Sequence, residues 1–593
     1  KEQTTANTTH INAAIDPGLG YISGYRVQTN YNDYLPLARS TTTTNASNQT
    51  VTLNFGNYVK VKELAGVFNF KAGDQINLYD TAAGFITAAT VPTSGALTPS
   101  GASIGTARIR SLTVDSGTPG TASCVYKLYL FDVQMNQGRS FRDVRSVYFD
   151  GAVDDGIADV VLTYDATSGS NVALITDVTT NKMLFNFGRP ALNDVSNITY
   201  TIRTNSDTSL QINQTYGSIQ IGPLGTGETF PYSDGVLSTA AKKDFIVMPV
   251  ANAEASANLS GGVTAYTNTT LVGSSTTFAS SVFPGDFIKI ANSSASIVRQ
   301  VQSVANNTTL TLTTAGVAMT GNAVLFFPAS YPLALEGRTD RTVTVSGSSK
   351  TAVINIGKAL TATVNVAAVY NKTITSASPV SKTINRDLLV KIHTSNNAAT
   401  NVGPWALGVP GVARLKNVYL GNNTAVNANS TDITKYFYID TGEDENAYRT
   451  AKLVLRQGAT VEITANQYMM VKFDAYTSGG EGFFALGSYN VDDTANLASS
   501  TTTVNTLEIP ETLTSIGEYY DMRDCIDFRP YSTATATLTS TAGSATINPS
   551  DTFTLSGADQ LWPAPDSVVS FDASYYNART DRIVVNKDSE FKV

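Results

Sequence analysis

Histidine is the side chain most often used for acid–base work near neutral pH, and this chain has two, His10 and His393. His10 lies in a polar N-terminal stretch and His393 in the strand-like run VKIHTS. A nucleophilic triad needs a base held by an orienting acid, and neither histidine carries that signature. Two cysteines, Cys124 and Cys525, read as small buried hydrophobes. Two Cys and two His scattered singly do not make a zinc site. Carboxylates are the remaining candidates for chemistry. The densest group is Asp440, Glu443, Asp444 and Glu445, with Asp154–Asp155 and Asp492–Asp493 as weaker pairs. Such acids serve a glycosidase as a pair or bind calcium as hard oxygen donors. The spacing does not match an EF-hand, and solvated turn acids are the simpler reading. The run Gly222-Pro-Leu-Gly225-Thr-Gly227 lacks the lysine and helix of a phosphate loop. Gly479-Gly480-Glu481-Gly482 reads as a hairpin loop. The expectation is therefore no catalytic residue, no cofactor-binding residue, no metal ligand and no enzyme.

Composition says what must position these residues. In 593 residues, 42% are hydrophobic and only 15% charged, with 48 acids against 40 bases and a formal charge of −8. Charge-driven disorder is excluded by this balance, and no basic excess supports general nucleic-acid binding. The 44 glycines have no triplet period, which excludes collagen. Abundant Thr and Val, with 28 Tyr and 24 Phe, favour strands. Asn, Ser, Asp and Gly punctuate turns. The first residues, KEQTTANTTHINAAIDPG, carry no apolar run and are not expected to be a signal peptide, and the apolar runs elsewhere are too short to cross a bilayer. Both ends read as cut from something longer, continuing beyond Val593. Asn-X-Ser/Thr triplets, as at Asn48, Asn197, Asn268 and Asn371, are expected by chance in such a chain.

Period-two alternation recurs throughout. The clearest hairpin is TARIRSLTVDSGTPGTASCVYKLYLFDVQM, two alternating strands about a Gly-Thr-Pro-Gly loop. The pattern predicts an all-β, multi-domain, elongated chain of immunoglobulin-like sandwiches and small barrels. Its expected divisions are 1–150, a β domain; 151–260, a β-rich middle; 261–330, a small barrel; 331–395, an immunoglobulin-like sandwich; and 396–593, a C-terminal β domain. In EYYDMRDCIDFRPY, Asp521, Arg523, Cys525, Asp527 and Arg529 are expected on one strand face. There they would form a ladder of ion pairs with a neighbouring strand, ended by Pro530.

The C-terminal order RLKNVYLG, DITKYFYIDTGEDENAYRTAKLVLR, MVKFDAYTSGGEGFFALGSY and YYDMRDCIDFRPY resembles a family of virion structural proteins of contractile-tailed phages, including cyanophages. That family is catalogued mainly as a domain of unknown function. In it a run of the type Asp-Gly-Gln-Arg-Asp-Asn-Phe-Tyr-Asp precedes the Leu-Val-Leu strand. Here 440–448 holds that place, with Gly442, Asp444, Asn446 and Tyr448 kept in kind. Residues 523–530 are the closest match, and AIDPGLGYISGYRV and SFRDVRSVYF near the N-terminus are also similar. The resemblance covers about 1–150 and 405–593.

It implies a baseplate component of the tail, in the wedge or at a fibre attachment, assembled in the host cytoplasm. Its partners would be other baseplate and tail proteins and tail fibres, with no nucleic acid and no membrane insertion. A homo-oligomer, with a trimer favoured, is expected. Two other function classes remain: a receptor-binding protein stacking host glycan on Tyr519, Tyr520 or Trp405, and a polysaccharide depolymerase using paired acids.

Overall fold

A computed structural model describes residues 10–593, apart from 54–56, 66–72, 81–101, 120–123, 150–159, 167–169, 172–173, 178–182, 188–191, 205–206, 214–216, 250–260, 292–295, 314–322, 326–331, 358–362, 395–401, 480–481, 492–501, 515–516, 534–537, 539–542, 557–560 and positions 32, 39, 41, 62, 164, 268, 544 and 589. The fold is all-β. One four-residue α-helix, Phe278–Ser281, and a few 3-10 turns interrupt the strands among the described residues. The β-branched alternation produces strands whose inward residues form five buried apolar clusters among the described residues.

The hairpin read at 106–135 is present: Gly105–Ser116 pairs antiparallel with Val125–Met135. It sits inside an eight-stranded sheet whose core includes Val59, Ile76, Leu112 and Leu128. Strands from 262 to 325 make a six-stranded sheet of their own, whose first and last members approach each other. Its core residues Phe278 and Ile288 belong to the same buried cluster as Ile219, Val343 and Ile354. This unit therefore packs directly on the segments around it.

Sheets elsewhere cross the divisions expected from sequence. Val568–Tyr576 lies between Thr43–Thr52 and Leu192–Arg203, and the latter pairs onward with Asn371–Ala377. Residues 331–395 do not close on themselves as an immunoglobulin-like sandwich. Thr342–Ser346 and Thr351–Asn355 join one sheet, Val364–Val369 a second, Asn371–Ala377 a third and Lys382–His393 a fourth. Alternation marks a strand and its wet face but leaves its hydrogen-bonding partner open, because every strand edge offers the same N–H and C=O groups.

The N-terminal residues form a ribbon. His10–Ile15 pairs with Asp33–Ala38, and Gly18–Ile22 pairs with Tyr25–Thr29. Ser23 and Gly24 both take positive φ, 49° and 84°, which is the two-residue turn that matches strand twist. Each pairing is a two-stranded sheet, with no third strand beside it among the described residues.

The segment 519–530 departs from the single strand expected. Tyr519–Asp521 is a short strand, Met522–Asp524 a 3-10 turn and Cys525–Asp527 a second strand. The Asp521 carboxylate accepts the Arg523 N–H at 2.9 Å, and this local capping bond diverts the backbone from the extended form. Cys525–Asp527 pairs with Leu184–Asn186, which carries no charge, and Tyr519–Asp521 pairs with Glu511–Leu513, which sets Glu511 opposite Asp521, so the ladder of ion pairs does not form across either pairing.

Candidate functional site

Two segments singled out by sequence, 440–448 and 523–530, converge on the first residue of Lys382–His393. The Tyr448 N–H donates to the Pro530 carbonyl at 2.8 Å, docking one segment on the other. Gly442 makes the loop possible: its φ is +69°, and a Cβ there would lie 2.8 Å from the carbonyl oxygens of Arg449 and Thr450. The Asp440 carboxylate accepts the Gly442 N–H, while Asp444 accepts the N–H groups of Asn446 and Ala447 and pairs with Arg449. These turn acids thus shape the loop.

Glu443 points inward. Its Oε2 lies 3.3 Å from Arg529 Nη2 and accepts the Thr512 hydroxyl at 2.5 Å. Arg529 also donates Nε to Asp527 Oδ1 and Nη2 to Asp527 Oδ2, each at 3.0 Å. Its Nη1 donates to the Asp444 carbonyl at 2.9 Å, and its guanidinium carbon lies 3.9 Å above the Tyr448 ring. Lys382 completes the centre. Its Nζ donates to the Tyr448 hydroxyl at 2.8 Å and to the Tyr489 hydroxyl at 3.4 Å, and stands 3.9 Å from Asp527 Oδ2. The Tyr448 hydroxyl in turn donates to Asp527 Oδ2. The Lys382 ammonium faces the rings of Tyr448 and Phe484 at 4.5 Å, with Tyr489 and Tyr531 at 5.5 and 5.6 Å. Tyr448 and Tyr531 stack at 4.3 Å.

Two cations and two anions are therefore enclosed together: Lys382, Asp527 and Arg529 keep 3% or less of their side chains exposed, and Glu443 keeps 5%. Burial pushes the Lys382 amine down to about 8, against the pull of Asp527 and Glu443. Burial would raise Asp527, but Arg529 and Lys382 outweigh it and hold the carboxylate below its ordinary value. Burial likewise opposes the Arg529 charge, and Asp527, Tyr448 and Glu443 hold it above its ordinary value. Burial sends both Tyr448 and Tyr531 well above a free phenol, so they stay protonated donors.

An open cleft of about 440 Å³ lies against this centre, lined by Ile384, Arg414, Glu443, Asp474, Glu508 and Glu511 among others. Its acids are engaged by the chain's own groups. Asp474 holds Arg414 at 3.0 Å and Lys416 at 2.9 Å, and Glu508 holds Arg386 through both oxygens at 2.9 Å. Burial would raise Asp474, but the Lys416, Asp387 backbone and Arg414 hydrogen bonds bring it below a free carboxylate. A glycosidase acid needs the opposite shift.

The remaining sequence candidates fall elsewhere. His393 stacks on Tyr468 at 4.5 Å. Cys124 and Cys525 are both buried and free. Asp154, Asp155, Asp492 and Asp493 lie outside the described residues, as do Gly480, Glu481 and Asn268. Among the described residues, no group of three or more His, Cys, Asp or Glu is placed to hold a metal ion. Trp405 and Tyr520 are buried, so of the three proposed stacking aromatics only Tyr519 is exposed. Sequence reading passed over Lys382. Its signal was an inward lysine two residues before the buried Ile384 in the alternating run KTINRDLLVKIH.

No family model, curated protein or solved structure matches this chain.

Proposed function

We propose that this chain is a structural protein of a contractile phage tail, a baseplate component of the wedge or of a fibre attachment, working through contacts with neighbouring subunits. The observation that carries this reading is the N-terminal ribbon. Leu19, Tyr21, Tyr25 and Tyr31 stand 57, 69, 57 and 76% exposed on it, and among the described residues no third strand flanks either pairing. A two-stranded ribbon is marginal in water and gains stability when another surface covers it. Aromatics at such density suit the apolar centre of a subunit interface.

The resemblance of 440–448 and 523–530 to tail proteins agrees with this reading. In this chain those residues tie three segments into one closed centre, which is the work of a scaffold. The partners proposed are other baseplate and tail proteins and tail fibres, with a homo-oligomer, expected to be a trimer, as the assembly unit. The location proposed is the virion tail, after assembly in the host cytoplasm. The glycan-stacking alternative loses two of its three aromatics to the core.

The test is the native mass of the purified chain, followed by antibody labelling of intact particles under the electron microscope. An oligomer and label at the end of the tail support the reading. A monomer that releases new reducing ends from host polysaccharide overturns it.

A further inference from the structure

The buried centre has the parts of a self-condensation reaction. We propose that Lys382 and Asp527 join as an intramolecular isopeptide bond, with Tyr448 carrying protons between them and Arg529 stabilising the intermediate. The inference stands apart from the tail reading and holds or fails whatever the protein's role.

Geometry is the first support. Lys382 Nζ lies 3.9 Å from Asp527 Oδ2. Attack needs the nitrogen about 3–3.5 Å from the carboxyl carbon, an approach that rotation about the long Lys382 stem has to supply. The Tyr448 hydroxyl bridges the pair, accepting from Lys382 Nζ at 2.8 Å and donating to Asp527 Oδ2. A proton leaving nitrogen thus has a hydroxyl already aligned to deliver one to the departing oxygen. Arg529 donates to both Asp527 oxygens at 3.0 Å, where negative charge gathers when nitrogen attacks.

The balance needs nothing from outside. The Lys382 ammonium and the Asp527 carboxylate form one C–N bond and break one C–O bond. Nitrogen gives up two protons: the first passes through Tyr448 and makes Asp527 a carboxylic acid, which an amine can attack where a carboxylate resists it, and the second goes to the departing hydroxyl, which leaves as water. No electron transfer and no co-reactant is involved. The cluster begins with Lys382 and Arg529 against Asp527 and Glu443. It ends with Arg529 against Glu443, 3.3 Å apart, and stays neutral.

The surroundings favour the product. Phe484, Tyr489 and Tyr531 close around the amine and keep bulk water away. Two buried charges cost solvation that a neutral amide does not, and the released water escapes to solvent. Burial also keeps the amine down to about 8, so the unprotonated nucleophile is accessible near neutral pH.

The test is mass spectrometry of the purified, folded 593-residue chain after denaturation. The expected result is an intact mass one water below that of the sequence, with a branched tryptic peptide joining the segments that carry Lys382 and Asp527. Lys382→Ala and Asp527→Ala should each show their full mass. The conservative variant Tyr448→Phe keeps the ring and loses the relay. It should cross-link on the order of 100-fold more slowly. A wild-type chain at full mass with two linear peptides overturns the proposal, whether or not any variant folds. Water loss that persists in Lys382→Ala places the modification elsewhere and overturns it equally.

Discussion

Arg341 and Asp286 form an ion pair at 2.7 Å with neither side chain exposed to solvent. Arg341 also donates to the carbonyls of Ala334 and Ile356, and its guanidinium lies 5.0 Å from the Phe283 ring. Asp286 ends the turn that opens the strand Phe287–Ala291, so the pair fastens the six-stranded unit to the segment that follows it. Removing one partner leaves the other buried and uncompensated. Asp286→Ala should cost about 3–5 kcal/mol, read as a shifted denaturation midpoint. The double variant Asp286→Leu with Arg341→Met should recover most of that loss. Equal loss in the single and double variants would refute this account.

The ribbon makes the opposite prediction. Tyr21 and Tyr25 are exposed, so Tyr21→Ser with Tyr25→Ser should leave the thermal midpoint of the dissociated chain nearly unchanged. The same variant should lower the native mass measured by light scattering at a given concentration. An unchanged assembly would remove the ribbon from the interface.

Trp562 ties a C-terminal segment to the first large sheet. Its ring meets Phe131 edge-on at 4.5 Å and lies 4.8 Å from the Arg110 guanidinium, which donates to the Pro563 carbonyl. Trp562→Ala should cost about 3–5 kcal/mol. Hydrogen exchange should then rise in both Val125–Met135 and Val568–Tyr576, because the two strands share this contact with Trp562 or its cluster. Exchange confined to one of them would contradict the coupling.

Acid stability follows from Asp474 and Asp115. Burial opposes each charge, but Lys416 with the Asp387 N–H and Arg414, and Lys60 with Lys127, hold their folded values below a free carboxylate. The sign follows directly. A depressed folded value adds stability that is complete above the unfolded value of about 3.9. That stability is lost as pH falls through the lower folded values. Chemical denaturation below about pH 4 should show this decline, and Asp474→Asn should flatten it. A variant with the wild-type slope would exclude Asp474 as a source.

The loop that delivers Glu443 and Tyr448 depends on Gly442. Gly442→Ala places a Cβ 2.8 Å from two carbonyl oxygens at a φ of +69°. A cost of about 1–3 kcal/mol is expected by denaturation. A neutral substitution would mean that the loop relaxes without disturbing the centre.

Much of this protein was readable residue by residue. Thr- and Val-rich alternation marked strands, and the hairpin Gly105–Ser116 with Val125–Met135 carried its own partner close in the chain. Cys124 and Cys525 read correctly as buried thiols. The two motifs at 440–448 and 523–530 were visible as unusual, although their meeting place was not. What stayed hidden depends on neighbours far along the chain. Thr43–Thr52 pairs with Val568–Tyr576, and no local pattern distinguishes that edge from any other. Trp405 and Tyr520 looked like surface platforms until packing covered them. Lys382 looked like one more strand lysine until four rings and a carboxylate closed around it. Periodicity records which face of a strand avoids water. The choice of partner edge, and the charge that face meets inside, arise when distant segments exclude solvent together.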